Sequence, residues 1–346
     1  VRRVRPLTPK RILWTCGWLA ALLFVTVVLA LRMGAYSISV PDIVKALFNG
    51  VIGHWQEIPA EHQMVVFGLR LPRIALEILV GASLSVAGVG FQALLRNPLA
   101  DPYVLGVSSG AALGAIVSLI AVPHTPGAIQ VAAFLGAAIT IGIVYFLGRR
   151  GGQLDSATLL LAGIISASLL SSIIMFLMTT LTTRDFRGMA FWLMGDLSSP
   201  PPVTNVFGWL GFLFTVFLIA AGAIYTTSSD LNLILTGEEE ARHLGVNVRR
   251  VKLVVYVGAS ILTGLAVSVS GAIGYVGLLV PHVMRMLFGT DHRLLIPASV
   301  IGGAIAIVVA DTLARTVAVP TEVPVGAMTA LAGAPVFIYL MRKRVR

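Results

Sequence analysis

At 346 residues, 57% hydrophobic and only 12% charged, the chain is too apolar for a water-soluble domain, which carries about 25% charged residues. It reads as a polytopic membrane protein. The formal net charge of +10 would suggest nucleic acid as partner in a soluble protein. Here it fits an excess of Lys and Arg in cytoplasmic loops, and no nucleic acid is expected.

The chain opens on a basic flank, Arg2, Arg3, Arg5, Lys10 and Arg11, expected to stay in the cytoplasm. Residues 12–31 then make a first span of about the 20 residues a bilayer needs. The run is too long for a signal peptide and lacks the small-residue cleavage site. Residues 32–69, with Trp55, Glu57, Pro59, Glu61 and His62, are predicted as an external loop. Further spans are predicted at 73–93, 103–122, 128–148, 158–180, 204–225, 253–272, 275–289, 298–314 and 324–341. The 275–289 segment is short enough to be broken or tilted. Alternation of period two is absent, so no barrel is expected. The 35 glycines suit close approach of helices in lipid. The single cysteine, Cys16, can make no internal disulfide.

Counting Lys and Arg places most of them inside if both termini are cytoplasmic, which requires an even number of spans. The fold class expected is an all-α polytopic membrane protein with about ten transmembrane helices. Spans two to five would return as spans seven to ten on the opposite face, an inverted repeat. That expectation rests on counting, since the halves share no convincing sequence identity. One transmembrane domain over 1–346 is expected, with a cytoplasmic segment at 228–252 inside it.

That central segment carries Asp230, Glu238, Glu239, Glu240, Arg242, His243, Arg249, Arg250 and Lys252, a density that cannot lie in hydrocarbon. It is not a random loop either. Leu231, Leu233, Ile234 and Leu235 are apolar, Glu239–Arg242 reads as a short helix, and Gly245 stands where a helix C-terminus favours glycine. A structured loop shaped to be held by a partner is expected. An ordinary solvated connection is the alternative.

The stretch 70–110, RLPRIALEILVGASLSVAGVGFQALLRNPLADPYVLGVSSG, is the most specific. Arg70 and Arg73 flank Pro72, placed as near a helix start. Gly81, Gly88 and Gly90 suit close packing. Asn97-Pro98 and Asp101-Pro102 break the helix twice, and the run Gly106–Gly110 follows. Such breaks survive at membrane depth only where protein or a water-lined cavity satisfies the backbone.

This stretch resembles the permease subunits of binding-protein-dependent ABC importers for iron chelates, haem and cobalamin, the FecCD/BtuC-like, type II importers. The resemblance continues through LLLAG at 159–163, FWLMG at 191–195, GEEEARHLGV at 237–246 and GAIGYVGLLVPH at 271–282. It runs on through TDHR at 290–293, ADTLAR at 310–315 and EVPVG at 322–326, to GAPVF at 333–337. It implies two permease copies around one pathway, two ATP-binding subunits in the cytoplasm, and a periplasmic or lipid-anchored substrate-binding protein outside. It places the chain in the cytoplasmic membrane of a bacterium or archaeon, surrounded by lipid.

By the same resemblance, Gly237, Glu238, Glu239, Ala241, Arg242, Leu244, Gly245 and Val246 couple to the ATPase. Arg70, Arg73 and Arg315 receive acidic knobs of the binding protein, a task suited to guanidinium groups that hold carboxylates in pairs. Local pairing of Arg73 with Glu77 and of Asp311 with Arg315, each at i,i+4, is the competing reading. Arg70 has no such partner, and Glu77 departs from the usual apolar residue. The cytoplasmic gate maps onto Asn97, Leu99, Ser156 and Ala157, though a helix cap serves Ser156 equally well.

No catalytic residues, metal or cofactor are expected on this chain. ATP and Mg belong to the partner ATPase, since no lysine here sits in a G-x-x-x-x-G-K-[ST] phosphate loop. His54, His62, His124, His243, His282 and His292 show no paired metal spacing, and His282 reads as structural. Met284, Met286 and Met328 read as packing, and Trp192 and Trp209 as interfacial anchors. The alternative function is an ion-gradient-coupled secondary transporter. It is weakened because Glu77 and Asp311, the clear acidic residues inside spans, each have an arginine one turn away. An intramembrane enzyme lacks any nucleophile–base pair.

Overall fold

In lipid a backbone finds no water to pair with, so long apolar runs close their hydrogen bonds as helices. The computed structural model describes residues 7–344 apart from 35, 37, 123–124, 151–152, 199–204 and 320. Arg2, Arg3, Arg5 and Arg346 of the predicted basic ends, and His124, lie outside the described residues. The first half holds α1 (Pro9–Arg32), α2 (Val40–Ile52), α3 (Ala60–Leu94), α4 (Val107–Ala121), α5 (Ala128–Leu147), α6 (Ser156–Met178) and α7 (Thr183–Leu193). Then come α8 (Val206–Thr226), α9 (Ser228–Ile234), α10 (Glu238–His243), α11 (Val248–Ser270), α12 (Val276–Phe288), α13 (His292–Ala314) and α14 (Val325–Arg344). A two-residue ladder, Arg149–Arg150 against Gln153–Leu154, joins α5 to α6.

Every predicted span is present as a helix. Seven are long and apolar enough to cross a bilayer, and α4, α12 and α14 are shorter apolar helices. At about 1.5 Å per residue, α4 and α12 fall short of the roughly 30 Å hydrocarbon layer. Each follows a break, Asp101–Gly106 before α4 and Gly271–Tyr275 before α12. The two breaks meet inside the bundle, where the Tyr103 hydroxyl accepts the Ile273 N–H at 2.9 Å. Pro102 also packs against Gly277. Protein therefore satisfies the interrupted backbone. The inverted repeat is visible in the neighbours: α3 packs on α13 and α12, as α11 packs on α5 and α4.

The external loop predicted at 32–69 is instead largely helical. Ser39 caps α2, accepting from the Asp42 N–H, and Gly53 ends it at φ +83°. Ile43 and Ala46 face the bundle while Val40, Val44, Phe48 and Ile52 are exposed. One apolar side thus meets protein and another is left exposed, the pattern of a helix that lies along a membrane surface. The helical run of the second span starts at Ala60, and Pro72 stands at the start of its α-helical part, Leu71–Leu94, as expected, but with helix already before it. Proline has no N–H for the i→i−4 bond and its ring crowds that carbonyl. The chain answers with a π-helical stretch, Gln63–Arg70, in which the Leu71 N–H reaches back five residues to the Val66 carbonyl.

The bundle is organised around α3, 89% of whose apolar window is buried, whereas only 6% of that of α1 is. Glycine makes this possible. A Cβ on Gly88 would stand 1.8 Å from the Gly277 carbonyl oxygen, and Gly81 and Gly303 face each other with 2.1 Å for either Cβ.

Candidate functional site

The central segment folds as two short helices at one end of the bundle. α10 opens after Gly237, where a Cβ would strike the Glu240 carboxylate. It closes in a Schellman motif, with Gly245 at φ +87°, the Val246 N–H on the Ala241 carbonyl and the Gly245 N–H on that of Arg242. The cap divides the predicted coupling residues into two sets. Ala241 and Val246 are buried and anchor the segment. Glu239, Arg242, Leu244 and Gly245 face outward, and Leu244 is 66% exposed. Glu238, expected to face a partner, turns toward the bundle. Its carboxylate meets Lys252 at 2.7 Å, Arg96 at 3.1 Å and Arg242 at 3.7 Å. Beside these lies a cavity of 220 Å³ lined by Tyr145, Arg149, Leu154, Arg242, Val246 and Lys252, among others.

The preceding helix, α9, is docked on the α12–α13 turn. Asn232 donates to Asp291 at 2.9 Å and accepts the His292 N–H at 2.9 Å. The Arg293 guanidinium bonds Asp291 at 2.6 Å. Chiefly through that bond, with partial burial opposing, the Asp291 carboxyl is held down at about 2. A carboxyl depressed by folding stabilises above its unfolded pKa near 3.8, and the effect fades as pH falls through the folded value. Asp291→Asn is therefore expected to lower stability at pH 7 by about 1 kcal/mol after solvent screening. The gap between native and variant melting curves in detergent should narrow from about pH 4 downward.

The four predicted gate residues fall into two adjacent pieces at the same end. After α3 the chain turns at Arg96, a non-glycine at φ +47°. Asn97 then accepts the Leu99 N–H on its side chain at 2.9 Å. Ser156 begins α6 and donates to the Leu94 carbonyl at 3.1 Å, so the two pieces touch. Ala157 beside it is exposed. The capping alternative for Ser156 is corrected: Asp155 caps α6, accepting the Thr158 N–H at 2.8 Å. Sequence reasoning missed Gln92, which is buried and donates to the Ala100 and Gly277 carbonyls, both at 3.2 Å. A buried amide two residues from the end of α3, beside a broken turn, was the available signal.

The three predicted docking arginines gather at the opposite end, but mostly turned inward. Arg70, without an i,i+4 partner, is buried and donates to the carbonyls of Leu31 and Tyr36. Arg315 is buried too, and donates to the Ala30 carbonyl at 2.9 Å. Together they close the free carbonyls at the end of α1. Arg73 grips Asp311 with two bonds, 2.8 and 3.0 Å, and reaches Glu322 at 3.0 Å. The local pairs exist as well, Arg73–Glu77 at 3.8 Å and Arg315–Asp311 at 3.4 Å. Glu77 and Asp311 are fully buried. The dominant bond, Arg73–Asp311, therefore joins two helices instead of two turns of one.

Elsewhere, His282 is buried and Met284 packs in the core, while Met286 is exposed. Among the described residues no group of three or more His, Cys, Asp or Glu is placed to hold a metal ion.

Comparison with known proteins places these features in context. The profile of the FecCD transport family matches residues 22–343. The chain is 42% identical over 289 residues to the cobalamin import system permease protein BtuC of Halobacterium salinarum, covering 83% of this chain and 76% of that protein. It is 38% identical over 341 residues to the hemin transport system permease protein HmuU of Yersinia pestis, covering 95% of each. Among solved structures, one of an inward-facing conformation of a transporter assigned to the metal-chelate type of ABC transporter superposes with a TM-score of 0.80. It has 32% sequence identity, with 96% of this chain and 99% of that one covered.

Proposed function

We propose, since this chain belongs to the FecCD transport family, that it is the permease subunit of a binding-protein-dependent ABC importer. Its cargo would be a metal chelate: a ferric siderophore, haem or cobalamin. Cargo enters the cytoplasm by alternating access, driven by ATP hydrolysis on a separate partner. The observation that carries this reading is the central segment. A short helix closed by a Schellman motif presents an exposed Leu244 next to the exposed Glu240, Arg242 and His243, and the sequence holds no phosphate loop. An apolar tip ringed by charge suits a groove on an ATP-binding subunit, with the charges setting orientation.

Two copies enclose the pathway, and the exposed side of α6 supports this. Ser168, Ser171 and Ser172 lie exposed there. The Ser172 hydroxyl bonds within its own helix, to the Ser168 carbonyl at 3.0 Å, whereas exposed hydroxyls at Ser168 and Ser171 suit a wet path between two copies. The permease would sit in the cytoplasmic membrane of a bacterium or archaeon with both termini inside. At the other end the binding protein would meet Arg73, which keeps some exposure, while Arg70 and Arg315 shape the docking face from beneath. Specificity for the chelate would reside mainly in that binding protein.

The test is co-expression with the neighbouring ATPase and binding-protein genes, followed by ATP hydrolysis in liposomes. Loaded binding protein should raise hydrolysis by the native complex. Leu244→Asp should weaken retention of the ATPase about tenfold or more, as removal of an anchoring apolar contact does. A preparation in which no ATPase copurifies, and flux follows a pH or sodium gradient, would defeat the importer reading.

A further inference from the structure

We infer that Glu238 is the node that divides a displacement of α10 between the two pieces of the gate. This deepens the proposed function and rests on it, because it takes α10 as the place where the ATPases act. The contacts form a closed ring. From Glu238 one arm runs to Arg96 at 3.1 Å, two residues along the chain from Leu94. The Leu94 carbonyl receives the Ser156 hydroxyl at 3.1 Å, and Ser156 lies two residues after Leu154. The Leu154 carbonyl receives Lys252 Nζ at 3.3 Å, and Lys252 returns to Glu238 at 2.7 Å. Each step is a hydrogen bond, an ion pair or a short piece of backbone, which is the physical continuity that coupling between sites requires.

Placement and burial say which of the carboxylate's partners transmit. Arg242 shares α10 with Glu238 one turn away, so their pair moves as a unit and carries nothing outward. Arg96 and Lys252 belong to other elements. The Lys252 side chain is only 11% exposed and that of Glu238 24%, so water screens this pair less than a surface pair. Arg96 sits in the left-handed region as the cap of α3, with the Asn97 N–H on the Gln92 carbonyl at 3.2 Å and its own N–H on that of Ala93 at 3.3 Å. Asn97 and Leu99 follow at once in the chain, so a pull on the Arg96 side chain passes directly into the gate turn. The Lys252 arm draws on the ladder that precedes α6.

The inference is tested on the assembled complex in liposomes by hydrogen–deuterium exchange, without nucleotide and after trapping with ATP, Mg and vanadate. In the native complex, exchange at 95–101 and at 154–158 should each change at least fivefold on trapping. With Glu238→Gln both responses should be lost while the ATPase stays bound. Arg96→Gln should silence 95–101 and leave 154–158 responsive. Lys252→Gln should do the reverse, and Arg96→Lys should restore the response. A merely structural role predicts loss of protein or uniform loosening, not an arm-by-arm separation. A Glu238→Gln complex that responds like the native one overturns the inference. So does one that sheds its ATPase, which would make Glu238 a docking contact. A native complex that keeps its ATPase but shows no nucleotide response at either piece overturns the inference and leaves the importer reading standing, whereas one that retains no ATPase removes both.

Discussion

Arg73→Met is expected to cost about 3–5 kcal/mol, the penalty for stripping one partner from a buried charge pair. Asp311 would keep only the 3.4 Å approach of Arg315. Glu77, which shares the cluster with Asp311, would lose Arg73 at 3.8 Å and keep Arg315 as its nearby cation. The midpoint of thermal unfolding in detergent should fall by roughly 5–15 °C. Arg73→Lys should fall between, because an ammonium keeps the charge but not the two-pronged grip on Asp311. Adding Asp311→Asn to Arg73→Met should return part of the loss, since the stranded charge is then gone. An Arg73→Met protein as stable as the native one would show that the cluster does not hold α3 to α13. Arg73 would then be free for a partner.

The second large effect is steric. Gly88→Ala places a methyl 1.8 Å from the Gly277 carbonyl oxygen. Backbone cannot rotate aside as a side chain can, so α3 and α12 must separate. The cost is expected to be about 3 kcal/mol or more, at the upper end of overpacking, with little monodisperse protein recovered. Gly90→Ala is the graded control. Its nearest neighbour, Val255 Cγ1 at 3.2 Å, is a side-chain atom that can yield, and a loss of about 1 kcal/mol is expected. Gly142→Ala meets nothing within 4 Å and should be neutral or slightly stabilising, as alanine favours a helix. If Gly88→Ala behaves like Gly142→Ala in gel filtration and melting, the close helix contact is not what holds the centre together.

How much of this was legible in the sequence follows from which interactions are local. The spans were readable because hydrocarbon demands about twenty apolar residues in a row. The break before α4 was readable from two proline dipeptides. Its counterpart before α12 was signalled only by the shortness of the 275–289 segment, since Gly271–Tyr275 carries glycines but no proline. α2 was missed because its apolar positions divide between two sides, and Pro41 and Gly50 dilute the pattern. Gly245 and the tip at Leu244 were legible, being a local cap. The direction of Glu238 was not, because its partners at Arg96 and Lys252 come from other elements. Arg70 looked free for the same reason. Its acceptors lie 39 and 34 residues upstream, beyond any rule of helix spacing. The cap on α6 shows the opposite limit: Asp155 and Ser156 are both good capping residues, and only the place of Leu94 decides between them.

The loosely held α1 has a consequence for how the chain is made. It leans mainly on α13, and the Ala30 carbonyl at its end waits for Arg315, 285 residues later. At about 5–20 residues per second of synthesis, that delay is roughly 15–60 s. Of the described helices α1 is made earliest, yet it is among the last to gain its main packing neighbour. It can afford to wait, because its surface is apolar nearly all round and lipid suits it throughout. Birth order and packing order are thus reversed between α1 and α13, with Arg70, 39 residues on from Leu31, reaching the end of α1 first.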